Sequence, residues 1–120
     1  MVLNFTHPVS KVVAVSIAIG VSAFASPAKA VEYGHINELS ALSMSYESCM
    51  SRAYEAVNAT ATDDARRDGQ GFSGHSGNNA LVSIYCVRAG QGAAVSINMT
   101  YVQPVPENEI FNRLRNLFYR

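Results

Sequence analysis

Two stretches of strict alternation, joined by a short link, constrain this chain more than any other feature. In residues 80–87, Val82, Ile84 and Cys86 fall on one side, while Leu81, Ser83, Tyr85 and Val87 fall on the other. That period of two is the signature of a strand. Residues 93–102 repeat it, with Val95, Ile97, Met99 and Tyr101 opposed to Ser96, Asn98 and Thr100, the half-buried pattern of an antiparallel sheet. Arg88-Ala89-Gly90-Gln91-Gly92 is too short for a crossover and carries glycine where a tight turn needs it, so the two strands should form a hairpin.

Helical periodicity flanks the hairpin. Ser45 is placed to cap a helix, and Glu47 lies in the first turn, where its charge suits the helix dipole. Tyr46, Cys49, Met50, Ala53, Ala56 and Val57 then recur every three or four residues. After Pro104 and Pro106, Glu107 and Glu109 open a second helix, whose stripe is Ile110, Leu114, Leu117 and Phe118 and whose carboxyl end is balanced by Arg113, Arg115 and Arg120. Residues 65–73 read as a weak strand interrupted by glycines, and residues 31–42 as a mixed lead-in with a turn of helix around Asn37 to Ala41. The expected fold is α+β: a three-stranded antiparallel meander covered by two helices in the order α-β-β-β-α, forming a single domain over residues 43–120.

The first thirty residues read as an export signal. Lys11 precedes an apolar run from Val12 through Ala25, Pro27 breaks it, and Ala28-Lys29-Ala30 offers small residues at −3 and −1. The apolar core, about 14 residues, falls short of the roughly 20 of a spanning helix, so an uncleaved anchor is the weaker reading. Val31, not Cys, follows the cleavage site, which leaves a lipoprotein anchor no attachment point. The expected destination is the periplasm or the exterior, with no membrane contact once the signal is removed. Both lysines leave with it, and seven arginines remain against nine carboxylates, a formal charge of −2. Nucleic acid and anionic lipid call for clustered positive charge, so neither is an expected partner.

Cys49 and Cys86 are the only cysteines. In an oxidising compartment, and without a C-x-x-C to lower a thiol pKa, they are expected to form a structural disulfide rather than a redox pair. The bond turns the Cys86 side of its strand toward the first helix. Leu81, Tyr85 and Val87 are left on the opposite side, either as an exposed apolar surface open to a protein partner or to self-association, or as a surface covered by the lead-in.

Residues 68–79, DGQGFSGHSGNN, invite three chemical readings. Gly69, Gly71 and Gly74 fit the dinucleotide spacing, but a strand rather than a helix is expected to follow. Around Ser76 the esterase elbow is incomplete, because Asn78 stands where the last glycine belongs and His75 is adjacent in sequence, so a serine hydrolase is a remote alternative. No spacing of His, Cys or carboxylates indicates a metal site, and no cofactor is expected. Arg66, Arg67 and His75 could form an anion-binding or small-ligand module, although Asp63, Asp64 and Asp68 offer the two arginines local partners.

Cys49-x-x-x-Ala53-Tyr54-x-Ala56, the Arg67-Asp68-Gly69 turn and Ile84-x-Cys86 together resemble small exported bacterial proteins of uncharacterised function. The resemblance implies an exported α+β domain with one helix-to-strand disulfide and supplies no catalytic residues. The leading expectation is a non-enzymatic exported interaction domain, with the anion- or ligand-binding module as its alternative. Processing after Ala30 predicts that the secreted or periplasmic form takes a single amine label, on the α-amine of Val31. Two or more labels in its intact mass would exclude that cleavage site.

Overall fold

The computed structural model describes residues 32–120. The expected signal, residues 1–30, lies outside them. Five strands and two helices follow in the order β1 (Tyr33–Leu42), α1 (Tyr46–Thr60), β2 (Arg66–Arg67), β3 (Gly71–His75), β4 (Ala80–Ala89), β5 (Gly92–Val102) and α2 (Glu107–Tyr119). The α+β class and the two helices are as expected; the three-stranded meander is not. All five strands join one antiparallel sheet in the order β1-β5-β4-β3-β2.

Two local misreadings account for the difference. The lead-in has no turn of helix: residues 33–42 pair with β5, from Tyr33 opposite Val102 to Leu42 opposite Ala93. The glycine-broken strand is two strands, because Asp68 and Gly71 exchange backbone hydrogen bonds at 2.9 and 3.1 Å and reverse the chain between β2 and β3. Gly69 enables that reversal with φ of 60°, a left-handed conformation costly for other residues. The β4–β5 hairpin is tighter than the five-residue link suggested. Ala89 pairs with Gly92, so only Gly90 and Gln91 turn.

One face of the sheet is covered. Val82, Ile84 and Cys86 of β4 lie opposite Met99, Ile97 and Val95 of β5, and all are buried. Against them α1 lays Cys49, Ala53, Ala56 and Val57, each fully buried. The two alanines let its backbone come close to the strands. Ser45 caps the helix as expected, its hydroxyl accepting from the Ser48 N–H at 3.0 Å. The buried stripe of α2 is Phe111, Leu114 and Phe118, with Ile110 and Leu117 partly exposed beside it. At the far side Tyr54 and Phe72 meet edge to face at 5.3 Å.

The helices complete one another's carboxyl ends. Neither has a basic residue in its own last turn, leaving carbonyls and the negative dipole end uncompensated. Arg52 of α1 donates to the Phe118 and Arg120 carbonyls at 3.2 and 2.6 Å, and Arg113 of α2 donates to the Ala59 carbonyl at 3.2 Å. Arg113 thus serves the other helix rather than its own, and Arg115 reaches Glu38 of β1 at 2.7 Å.

The Cys49–Cys86 disulfide is formed, with Cα atoms 6.2 Å apart and 37 residues separating the cysteines. Replacing both by alanine should lower the unfolding free energy by about 3–4 kcal/mol. The denaturant midpoint should fall, and the m-value should rise because the uncross-linked denatured chain exposes more surface. An unchanged midpoint would mean that the bond is not a staple.

Candidate interaction face

With both helices on one side, the other side of the sheet is built only from alternate residues of the strands. The register arranges them in rows. Ser73, Ser83, Asn98 and Asn37 form one continuous row across β3, β4, β5 and β1. Asn37 donates to Asn98 Oδ1 and to Ser96 Oγ, the latter at 3.1 Å, and Asn98 donates to Ser96 Oγ at 2.9 Å. These groups satisfy one another, so the row is polar without depending on a ligand. At its centre Ser83 is 7% exposed, shielded by its neighbours on adjacent strands.

On one side of this row the face turns apolar. Leu39, Ala41, Tyr85, Val87, Ala94 and Ser96 line a shallow hollow of about 430 Å³. Leu39 is 67% exposed and Val87 46%. Tyr85 leans across Gly71 of β3, where a Cβ would collide with the Ile84 carbonyl and the Tyr85 ring. Gly71 is therefore required by close approach. The Tyr85 hydroxyl donates to Asp68 Oδ2 at 2.6 Å, and burial first, then that carboxylate, raises its pKa. On the other side of the polar row, Leu81 is 40% exposed between His75 and Thr100.

Of the expected surface residues, Leu81, Tyr85 and Val87 thus share one open face. The alternative of a covering lead-in is not what the chain does: that segment extends the sheet sideways as β1 and adds Leu39 and Ala41 to the same face. Sequence reasoning missed these two because β1 mixes polar and apolar residues on both its sides. The one available signal was the absence of proline and lysine from residues 33–42.

Arg66, Arg67 and His75 come to the opposite edge of the sheet, but each is already engaged. Arg66 and His75 share one carboxylate oxygen, Asp63 Oδ2, at 3.1 and 2.9 Å, and Asp63 Oδ1 accepts the His75 backbone N–H at 2.8 Å. The His75 contacts, side chain first, hold the Asp63 carboxyl down at about 2. Arg67 donates to the Gly69 carbonyl at 2.7 Å and lies over the Phe72 ring. An anion entering here would have to displace the Asp63 carboxylate.

Ser76 lies in the turn between β3 and β4, its N–H donating to the Ala80 carbonyl at 2.9 Å. A strand follows it rather than the helix of a nucleophile elbow, and the same succession removes the helix N-terminus a dinucleotide needs. Among the described residues no group of three His, Cys, Asp or Glu side chains is arranged to hold a metal ion, and no helix is long and apolar enough to cross a membrane. Comparison with protein-family models, curated proteins and solved structures finds no match.

The Asp63 contacts should make stability depend on acid. A carboxyl whose pKa falls from 3.8 to about 2 on folding stabilises above its unfolded value and loses that contribution as pH falls toward the folded one. Asp63→Asn should therefore be less stable than the parent at pH 5. The gap in denaturant midpoint should close as pH falls from about 4 to about 2. A gap independent of pH would mean that the charge of Asp63 does not stabilise the fold.

Proposed function

We propose that this chain is a small exported, non-enzymatic interaction domain that engages a protein partner through the open face of its sheet. The observation that carries the reading is the uncovered apolar hollow of Leu39, Ala41, Tyr85, Val87 and Ala94, on a sheet whose other face holds the core beneath the two helices. Water-exposed apolar side chains grouped on one rigid face mark contact surfaces more often than isolated ones do. Tyr85 adds an aromatic anchor already held in place by Asp68, and aromatic anchors are frequent centres of binding energy. Export is supported by the leader pattern and by the disulfide, which persists in oxidising compartments. Against the anion-binding alternative stands the prior commitment of Arg66 and His75 to Asp63.

The test is capture from an envelope extract by the parent domain and by a Leu81→Ser/Val87→Ser variant. The expected result is a protein retained by the parent and lost by the variant, with the two midpoints of thermal unfolding within a few degrees. Equal retention would overturn the reading. A thermal shift with phosphate or sulfate, abolished by Arg66→Gln, would transfer the function to the Asp63 edge, since only a ligand of the native state raises its stability.

A further inference from the structure

The two edges of the sheet are treated differently. At the β3 edge, β2 pairs only two residues, Arg66 with Ser73 and Arg67 with Phe72. Where it stops, the loop after α1 takes over. Asp63 accepts the His75 N–H, and the Thr62 N–H and hydroxyl donate to the His75 carbonyl at 2.7 and 3.1 Å. That edge is closed by side chains and loop. At the other edge β1 runs for ten residues without proline or lysine, the residues that usually blunt an edge.

The ladder shows which β1 groups face outward. The Gln103 N–H donates to the Glu32 carbonyl and the Val102 N–H to the Asn79 carbonyl. In an antiparallel ladder hydrogen-bonded pairs alternate. Even-numbered residues of β1 therefore bond to β5, and Tyr33, His35, Asn37, Leu39 and Ala41 turn their backbone N–H and C=O away from the sheet. No hydrogen bond among the described residues reaches these outward groups.

We propose that β1 pairs antiparallel with β1 of a second copy of this chain, about a two-fold axis at Ile36, joining two five-stranded sheets into one of ten strands. This inference does not rest on the partner reading above. The occupant and the register follow from what each alignment puts opposite what. With Ile36 on the axis, Ile36 meets Ile36, His35 meets Asn37, and Glu38 meets Gly34. Tyr33 meets Leu39, the two exposed large apolar side chains of the strand at 49% and 67%. Moving the axis to Glu38 would set carboxylate against carboxylate, and moving it to Asn37 would set Glu38 against Ile36; facing like charges and mismatched pairs are unfavourable. The only acidic side chain of β1 is drawn back by Arg115 of its own copy at 2.7 Å. No like charges therefore meet in a chain whose exported part carries a formal −2. The contact is short, so the dimer belongs to the weak, reversible class.

Sedimentation velocity of the purified, oxidised chain over a concentration series should show a monomer–dimer equilibrium. Leu39→Pro removes only an outward N–H, so the fold should survive while the dissociation constant rises at least about tenfold. Leu39→Lys, which leaves the backbone untouched, should act in the same direction. Both native cysteines are bonded, so Ile36→Cys provides a single thiol. Directly opposed residues of a non-hydrogen-bonded pair lie about 4.5 Å apart at Cα, within disulfide range, and this variant should form a covalent dimer on air oxidation. A chain monomeric throughout, a dimer weakened by Val87→Ser but by neither Leu39 substitution, or cross-linking at Asn37→Cys and not at Ile36→Cys would overturn the proposal.

Discussion

The covalent tie between α1 and the centre of β4 decides which side of the sheet is inside. Cys86 can meet Cys49 only if its strand presents Val82 and Ile84 to the helix as well, because alternate residues of a strand share a face. Through the β4–β5 register that choice passes to Val95, Ile97 and Met99, and through the β1–β5 register to Ile36 and Leu42. Everything of opposite parity is thereby outside. Beyond one end of the tie, Arg88 bonds Glu47 at 3.0 Å and stacks on Tyr46, fixing the start of α1 over the same strand. Both contacts are exposed and contribute little alone. They act on a helix whose angle the disulfide has already restricted.

How far the structure could be read from the sequence follows from where local pattern and pairing agree. Residues 80–102 alternate cleanly and face one packed layer and one open one, so strands, hairpin and facing were legible, though not the two-residue length of the turn. The stripe of α1 was legible because its small residues sit at helical spacing. β1 was not: Ile36 and Leu42 point inward together with Glu38 and Ser40, so no alternation survives. Glu38 is tolerated there because Arg115 comes from the far end of the chain to meet it. That compensation exists only in three dimensions. For the same reason Arg113 and Arg115 looked like a balance for their own helix while their partners lie on α1 and β1.

The candidate face was half legible. Leu81, Tyr85 and Val87 were identifiable once Cys86 was assigned inward, whereas Leu39 and Ala41 required β1 to be seen as a strand. The Asp63–His75 contact was not legible, since the two lie on different elements and meet only because the loop after α1 runs beside β3. Its effect is structural. It replaces the strand neighbour that His75 lacks, satisfying a backbone N–H that would otherwise point outward from an edge.

Residues 68–79 can be understood in the same terms. Their glycines and polar side chains match two chemical motifs, yet several of them are used by the fold. Asp68 closes the β2–β3 turn and receives the Tyr85 hydroxyl, Gly71 lets Tyr85 lie across its strand, and His75 takes the Asp63 cap. These residues of the segment serve the turn and the edge of their own sheet. Because that edge is closed, strand pairing with another chain is directed to β1. The segment that looked most like a site thus lies at the edge closed by the loop after α1, and the plain lead-in strand forms the edge proposed to pair.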